Sequence, residues 1–393
     1  MNLMPGSHDE IAPAGPPSGA LFDLPLVSII VVNYNYGHLL GEAVASVFNQ
    51  TYPRLECIIV DNASTDDSAA VIETLTAAHP GLKILRRSSN DGQTAASLDG
   101  FALSTGQYVI FLDADDALLP HCVASHLEVH LASRIHVGFT AADMLQVVDG
   151  QLVVTTGEAM NLYIRSGKGR RADLLRPFDL PGAWPHKQAG RSEDLAAKVH
   201  YVPPLCTRWV WTPTSGLCFR RDAVALFADN EEVRYLRTGT DMYFAHGIGG
   251  WCGSLLIDEP LFMYRLHGAN SLTRRAQLHR SLSYTPGSSG DNNDRAKALI
   301  VDQLTRHSGR FSQNLLFKLN HLAFIFRISG REANEDLPHW ADRSSAAHRL
   351  HENFDSFAAH YGAGLTRLLL LLFGTPWSVA WRAGRRGGRG KTE

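Results

Sequence analysis

Short apolar runs alternate with amphipathic segments along the first third of the chain. Residues 26–32, 55–60 and 108–112 are almost entirely apolar, which is typical of short strands that are buried on both faces. Between these runs, apolar residues recur at helical spacing over 38–48 and 93–103. Because strands and helices alternate with short connections, we predict an α/β fold with a mostly parallel sheet flanked by helices.

Polar residues follow each of the three apolar runs directly. Asn33 follows the first run, Asp61 the second and Asp113 the third. Ligands of open α/β sheets bind outside the carboxyl ends of the strands, so neighbouring strands would bring these three groups to one edge. The chain has no GxGxxG after the first run and no GxxxxGK[ST], which argues against a dinucleotide-binding Rossmann site and a P-loop.

Three carboxylates, those of Asp113, Asp115 and Asp116, lie within four residues after the third run. Carboxylates at this spacing repel one another, so at least one stays protonated or a cation joins them. A divalent ion bridged to a phosphorylated substrate would satisfy this requirement. The alternative is an acidic turn that caps the next helix, because Asp is common in turns and at helix starts.

Composition and charge narrow the class of protein. A net charge of −2 argues against a general nucleic-acid binder, so we expect no nucleic-acid partner. The five cysteines form no CxxC pair, which indicates a reducing compartment and no structural zinc. No basic segment followed by an apolar core is found at the N-terminus, so we predict a cytoplasmic protein, with the inner face of the cytoplasmic membrane as a further location.

Four segments in order resemble the family 2 glycosyltransferases, which have the GT-A fold. They are residues 27–36, 46–52, 56–68 and 106–116, and together they span about residues 25–145. Each segment alone is a weak signal, but the four in the same order and spacing are a strong one. The resemblance implies a nucleotide-diphospho-sugar donor, for which we expect a UDP-sugar, and a divalent metal, Mn²⁺ or Mg²⁺.

The resemblance also implies roles for individual residues. Val32 and Tyr34 would line the base, and Asp61 would accept a hydrogen bond from its ring N–H. Asp113 would meet the ribose, and Asp115 would ligate the metal. The predicted donor site as a whole comprises Val32, Asn33, Tyr34, Asp61, Gly92, Asp113 and Ala114. Many relatives carry Ala-Arg-Asn after the glycine that Gly92 matches, whereas this chain has Ala-Ser-Leu over 96–98 and lacks that phosphate-binding arginine.

Residues 209–221 resemble the segment that shapes the acceptor site in this family. Trp209 and Trp211 would stack on a sugar ring, with Ser215 and Gly216 beside them. The alternative for both tryptophans is ordinary core packing.

Two later segments complete the implied site. In residues 238–244, Asp241 matches the catalytic base and Thr240 replaces the acid that precedes it in relatives; the alternative is an Asp at a helix start. In residues 264–271, His267 would ligate the metal or contact the diphosphate, and Arg265 would offset the diphosphate charge.

The predicted organisation has three parts. Residues 1–24 form a disordered leader, and 25–275 the glycosyltransferase domain, with the donor side over 25–145 and the acceptor side over 146–275. Residues 276–393 form a helical region with a basic tail.

The end of the chain has its own signal. A leucine-rich run over 365–373 precedes Trp377, Trp381 and several basic residues, which predicts an in-plane, peripheral membrane contact. The alternative is a terminal helix that packs on the catalytic domain with its basic tail in solvent.

The predicted function is that of an inverting, metal-dependent glycosyltransferase. It would move a sugar to a hydroxyl of a glycan or lipid-linked acceptor, in polysaccharide biosynthesis for the cell envelope. The alternatives are a nucleotidyltransferase, which uses similar acids on a similar sheet, and a non-catalytic module that binds sugar nucleotides.

Overall fold

A computed structural model describes most of the chain. The described residues are 23–176, 195–204, 206, 208–267, 270, 290–311 and 346–384. Nearly all of the predicted leader and the end of the predicted basic tail lie outside these ranges.

The first third of the chain follows the predicted strand–helix alternation. Its elements are β1 (Val27–Asn33), α1 (Gly37–Phe48), β2 (Leu55–Asp61), α2 (Ser68–Ala78), β3 (Lys83–Arg86), α3 (Gln93–Leu103) and β4 (Tyr108–Asp113). Each strand that was predicted from a continuous apolar run is buried along most of its length, which explains why these strands lack polar alternation.

The second third adds shorter strands and longer connections. Its elements are β5 (Ala117–Leu118), α4 (Cys122–Ala132), β6 (Phe139–Val148), β7 (Gln151–Val154), α5 (Glu158–Arg165), β8 (Val199–Val202), β9 (Leu217–Arg220), α6 (Arg221–Ala225), α7 (Thr240–Cys252) and β10 (Ser254–Leu266). The described C-terminal helices are α8 (Gly290–Arg306), α9 (Ala346–Glu352), α10 (Phe354–Tyr361), α11 (Ala363–Leu372) and α12 (Trp377–Arg382).

The ten strands found in the described part of the chain form one mixed sheet. Eight of them follow the order β3-β2-β1-β4-β9-β6-β10-β5, while β7 pairs with β6 and β8 pairs with β10. The strands β1 to β4 are parallel to one another, and β9 joins β4 to β6 in the antiparallel sense. The sheet therefore has a parallel half built from the start of the chain and a mixed half built from the rest.

The strand register confirms that the predicted polar groups share one edge. Asn33 of β1 lies opposite Asp61 of β2, and Val32 of β1 lies opposite Asp113 of β4. Since these three strands are parallel neighbours, their carboxyl ends meet at the same place. The same pairing places the acidic run that follows β4 beside the loop that follows β1.

Helices cover both faces of the sheet. Side chains alternate along β1, so that Ile29 and Val31 pack with α1, α2 and α4, while Ile30 and Val32 pack on the side of α3, α7 and α8. The helices α9 to α12 continue this second layer, and their buried side chains belong to the same core cluster as Phe111 of β4.

Asp302 of α8 helps to join the C-terminal helices to the rest of the protein. Its side chain is about 1% exposed and accepts hydrogen bonds from Asn230 Nδ2 at 3.0 Å and Asn353 Nδ2 at 2.8 Å. Arg349 of α9 pairs with Glu232 at 3.1 Å. Among the described residues, no helix is both long and apolar enough to cross a bilayer.

Candidate functional site

The three acids after β4 lie close enough to share a cation. Ligand atoms of Asp113, Asp115 and Asp116 all fall within 4.8 Å of one another. The side chains of Asp113 and Asp115 are partly exposed, while Asp116 is buried with 1% exposure. Grouped carboxylate oxygens are the donors that hard divalent cations prefer, so the residues present fit such an ion.

Asp116 is held by the protein on both of its carboxylate oxygens. The hydroxyl of Ser215 donates to Asp116 Oδ2 at 2.7 Å, and the backbone N–H of Arg265 donates to Asp116 Oδ1 at 3.1 Å. The same Ser215 hydroxyl accepts the backbone N–H of Asp113 at 3.2 Å. Asp116 therefore shapes the acidic turn, and Asp113 and Asp115 are the two acids that remain to face a ligand.

Asp115 has two aromatic neighbours. His267 Nε2 lies 3.1 Å from Asp115 Oδ2, and the hydroxyl of Tyr36 is hydrogen-bonded to the Asp115 side chain. The rings of Tyr36 and His267 meet edge to face, with centroids 5.3 Å apart. The structure therefore brings the predicted metal residues Asp115 and His267 together. Tyr36 is the last residue of the first family segment, and no role was predicted for it from the sequence.

Arg265, which was predicted to offset the diphosphate charge, uses its guanidinium for contacts within the protein. Its Nε donates to the carbonyl oxygen of Asp115 at 2.5 Å, and its Nη2 donates to that of Asp116 at 3.1 Å. A third group, Nη1, pairs with Glu42 at 2.6 Å. The guanidinium is used to hold the acidic turn against α1, because backbone carbonyls there would otherwise lack donors.

Burial and mutual repulsion raise the pKa values of two acids. Burial is the main cause that raises the pKa of Asp113 to about 8, and the charge of Asp115 is the second. The hydrogen bond that Gln93 Nε2 donates to Asp113 at 2.5 Å acts in the opposite direction. The same two causes raise the pKa of Asp116 well above its ordinary value. The direction agrees with the sequence argument that the cluster needs either a proton or a cation.

The predicted donor residues line the adjoining part of the edge. Asn33 Nδ2 donates to Asp61 Oδ1 at 3.1 Å and to the Ser68 hydroxyl at 2.9 Å, so it fixes the Asp61 carboxylate. Val32 is 8% exposed, and its carbonyl oxygen accepts the backbone N–H of Ala114 at 3.1 Å. Tyr34 is 40% exposed.

Gly92 allows the chain segment before Asp241 to approach the start of α3. Its φ of 104° and ψ of 169° belong to a region that only glycine readily adopts, and a Cβ there would overlap with the backbone of Arg237. The N–H of Gln93 donates to the Arg237 carbonyl oxygen at 2.8 Å. The predicted donor residue Gly92 thus acts in the structure as a backbone contact between two halves of the site.

Asp241 lies in the first turn of α7, after Gly239 in a left-handed conformation. The preceding Thr240 places its hydroxyl 3.1 Å from that of Thr94 in α3, one residue from the Gln93 that contacts Asp113. Burial raises the pKa of Asp241 to about 6, and its charge in turn raises the pKa of Asp113. The predicted base and the acids after β4 therefore share one electrostatic environment.

The tryptophan segment is divided between surface and core. Trp211 is 1% exposed and donates from Nε1 to the Ser254 hydroxyl at 2.7 Å, so the prediction that it stacks on a sugar is wrong and core packing, the alternative, holds. A Cβ at Gly216 would overlap with the ring of Phe262, which gives this glycine a packing role. Trp209 is partly exposed and meets Trp211 edge to face at 5.5 Å.

Comparisons with known proteins concern the family and the fold of the chain. A family model described as glycosyl transferase family 2 matches residues 28–195. An uncharacterized glycosyltransferase of Nostoc sp. is 31% identical over 250 residues, which are 62% of this chain and 66% of that protein. An uncharacterized glycosyltransferase of Haemophilus influenzae is 35% identical over 113 residues, 29% of this chain and 45% of that protein. The chain thus covers less than two thirds of the length of both relatives.

The fold also has a likeness among solved structures. The crystal structure of S. aureus TarS 1-349 in complex with UDP aligns with a TM-score of 0.50 and 15% identity over 93% of each chain. At this identity the likeness concerns the fold alone, and it confirms the expected GT-A architecture. The matching family model, the relatives and the four family segments in the sequence agree on one point: over residues 28–195 the chain is similar to glycosyl transferase family 2.

Proposed function

We propose that the protein is an inverting, metal-dependent glycosyltransferase that moves a sugar from a nucleotide-diphospho-sugar to a hydroxyl of an acceptor. One observation carries the proposal. Asp113 and Asp115 lie together at the carboxyl end of β4, and a separate acid, Asp241, lies close enough to raise the pKa of Asp113. Donor binding and proton removal require different carboxylates, and both kinds are present at this edge.

The donor is proposed to be a UDP-sugar bound along the ends of β1, β2 and β4. Val32 and Tyr34 would contact the base, and Asp61 would accept its ring N–H while Asn33 holds the other carboxylate oxygen. Asp113 would accept hydrogen bonds from the ribose hydroxyls. The UDP bound in the S. aureus TarS structure, which shares this fold, supports the choice of nucleotide.

Asp115 and His267 are the residues proposed to hold a Mn²⁺ or Mg²⁺ ion. Their ligand atoms are 3.1 Å apart, close to the roughly 3 Å that separates neighbouring ligands at bonds of about 2.1 Å in octahedral geometry. The Tyr36 hydroxyl would orient the Asp115 carboxylate, as outer hydrogen bonds commonly do for metal ligands. When bound, the ion would neutralise the charge that develops on the leaving diphosphate.

Asp241 is proposed to accept the proton of the acceptor hydroxyl. As the proton moves to the carboxylate, the hydroxyl oxygen forms a bond to the anomeric carbon and the bond from that carbon to the diphosphate oxygen breaks. Attack from the face opposite the leaving group inverts the anomeric centre. A base with a pKa of about 6 is ionised at neutral pH and still basic enough to take part.

The acceptor is proposed to be a glycan or lipid-linked hydroxyl used in envelope polysaccharide biosynthesis, and the site of action the cytoplasmic face of the membrane. An acceptor hydroxyl needs only to reach the carboxylate of Asp241, so the proposal does not depend on the size of the acceptor molecule.

The test uses the full chain with UDP-GlcNAc and Mn²⁺, with water as the acceptor. We expect UDP to raise the melting temperature in the presence of Mn²⁺, and we expect slow release of UDP from the sugar nucleotide. Asp241→Asn should keep the thermal shift and lose about 100-fold or more of the release rate. The matched control is Asp222→Asn, the same change in the first turn of α6, where the side chain is 65% exposed.

The possible results separate the competing functions. If Asp241→Asn releases UDP at the rate of the unchanged protein, Asp241 is not the base. A thermal shift without any UDP release from the unchanged protein would identify a module that binds sugar nucleotides without catalysis. If UDP gives no shift with Mn²⁺, the donor proposal fails.

A further inference from the structure

The last two described helices carry a concentrated set of exposed apolar side chains. Leu368 and Leu372 of α11 are 51% and 55% exposed, and Trp377 and Trp381 of α12 are 64% and 46% exposed. We call these four residues the C-terminal aromatic face. Exposed tryptophans are uncommon on soluble protein surfaces, and clusters of them mark interaction sites.

The C-terminal aromatic face is built by two amphipathic helices. Leu368 and Leu372 are four residues apart and lie on one side of α11, while Leu369, Leu370 and Phe373 are buried in the core. Trp377 and Trp381 have the same spacing, and their rings stack with centroids 5.5 Å apart. The leucine-rich helix therefore packs on the domain and also presents an apolar side away from it.

Arg367 fixes the two helices to each other. Its Nη2 donates to the carbonyl oxygen of Ala383 at 3.2 Å, and its guanidinium lies over the ring of Trp381 at 5.4 Å. The aromatic pair is thus held in place before any partner binds, which lowers the entropy that binding would cost.

The charged residues of the segment 363–392, which carries the C-terminal aromatic face, are all basic. Arg382 is exposed at the end of α12, and the sequence continues with Arg385, Arg386, Arg389 and Lys391. No Asp or Glu occurs between Ala363 and Thr392. Tryptophan rings favour the interface between lipid headgroups and acyl chains, and adjacent basic residues favour anionic headgroups.

We propose that the C-terminal aromatic face docks in the plane of an anionic lipid bilayer. The two tryptophans and two leucines would enter the boundary between headgroups and acyl chains, and Arg382 would pair with lipid phosphates. The further basic residues in the sequence after Arg382 would add to the attraction for an anionic surface. This inference rests on the membrane location proposed above and is independent of sugar transfer. The proposal combines the two alternatives predicted for this segment, a membrane contact and packing on the domain. One side of α11 packs on the domain, and the other side would bind lipid.

The test is flotation of the full chain with two kinds of vesicle, phosphatidylcholine alone and phosphatidylcholine mixed with phosphatidylglycerol. We expect binding to the mixed vesicles, with weaker binding as salt is raised and a blue shift of tryptophan fluorescence. The double variant Trp377→Ser/Trp381→Ser should lower the affinity about tenfold or more. The matched control is Leu152→Ser/Val153→Ser on β7, where the side chains are 56% and 51% exposed.

Three results would overturn the proposal. The first is that the unchanged protein does not float with the mixed vesicles. The second is that the tryptophan variant binds them as well as the β7 control does. The third is that size-exclusion chromatography shows an oligomer that the tryptophan variant alone dissociates, which would make the face a contact between copies of the chain. UDP release in solution should be the same in all variants, so failure here is distinguishable from failure of the proposed reaction.

Discussion

The ionisation of one carboxyl group, that of Asp241, is expected to control the rate of the proposed reaction. Its position in the first turn of α7 would favour the ionised form of the side chain through the helix dipole. The hydrogen bond that the backbone N–H of Met242 donates to Asp241 Oδ1 favours the same form. Burial outweighs both and raises the pKa to about 6. A pKa in this range suits the role of base that is proposed for Asp241.

The pH dependence of UDP release follows from this pKa. Below about pH 6 the Asp241 side chain is protonated and cannot accept a proton, so we expect kcat/KM to fall about tenfold per pH unit on the acid side. Above that pH the rate should reach a plateau. The measurement is made at saturating Mn²⁺, which would keep the neighbouring acids ionised.

The control for this profile is the residual activity of Asp241→Asn, which should not show the acid limb near pH 6. An acid limb near pH 4 in the unchanged protein would mean that Asp241 is less buried in the working enzyme or is not the base.

At the scale of elements, the start of α3 joins the proposed donor side of the site to α7, which carries the proposed base Asp241. Three consecutive residues each make a different contact: Gly92 lies against the Arg237 backbone, Gln93 donates to Asp113, and Thr94 meets Thr240. The position of α7, and so of Asp241, depends on this short segment. The glycine is required because its backbone conformation excludes a side chain and its surroundings leave no room for one.

Gly92→Ala should therefore disturb the site as well as the fold. We expect a loss of about 1–3 kcal/mol in the free energy of unfolding from backbone strain, and weaker UDP binding. Urea denaturation and the UDP thermal shift measure the two effects. Gly81→Ala is the control, because its Cβ would meet nothing within 4 Å. Equal stability of the two variants would show that the Arg237 segment does not approach Gly92 in solution.

At the scale of the whole molecule, the C-terminal helices form one layer with the catalytic domain. The helix α8 packs on α7, whose first turn carries Asp241, and Arg349 of α9 pairs with Glu232 just upstream of the Arg237 segment. Folding of the site and docking of these helices are therefore expected to be coupled. The described helices of this region are part of the support of the site.

Arg349→Ala tests this coupling. The side chain is 9% exposed and makes two hydrogen bonds to Glu232, at 3.2 and 3.1 Å, so we expect a loss of about 1.5–3 kcal/mol in the free energy of unfolding. The control, Arg54→Ala, removes an exposed pair with Asp23 at 3.4 Å and should cost less than about 1 kcal/mol. Equal costs in urea denaturation would contradict a structural role for the Arg349 pair.

The sequence by itself determined the strands of the parallel half and the edge where the site forms. The strands β1, β2 and β4 are buried on both faces, so their sequences are continuous apolar runs. Each of these runs is followed by a polar residue, which can be identified from the sequence alone. Asn33, Asp61 and Asp113 could be placed together because parallel neighbours align their carboxyl ends. The four family segments were likewise readable from local order and spacing.

Only the tertiary structure decided which distant side chains surround those acids. Ser215 and Arg265 reach the acidic turn from 99 or more residues away in the chain, and Tyr36 joins Asp115 through the packing of α1. The burial of Trp211 could not be predicted from the sequence either, because the local pattern around a tryptophan does not distinguish stacking on a ligand from packing in a core. Local patterns report which residues prefer burial or turns. Contacts between segments far apart in sequence depend on how the whole sheet and its helices pack.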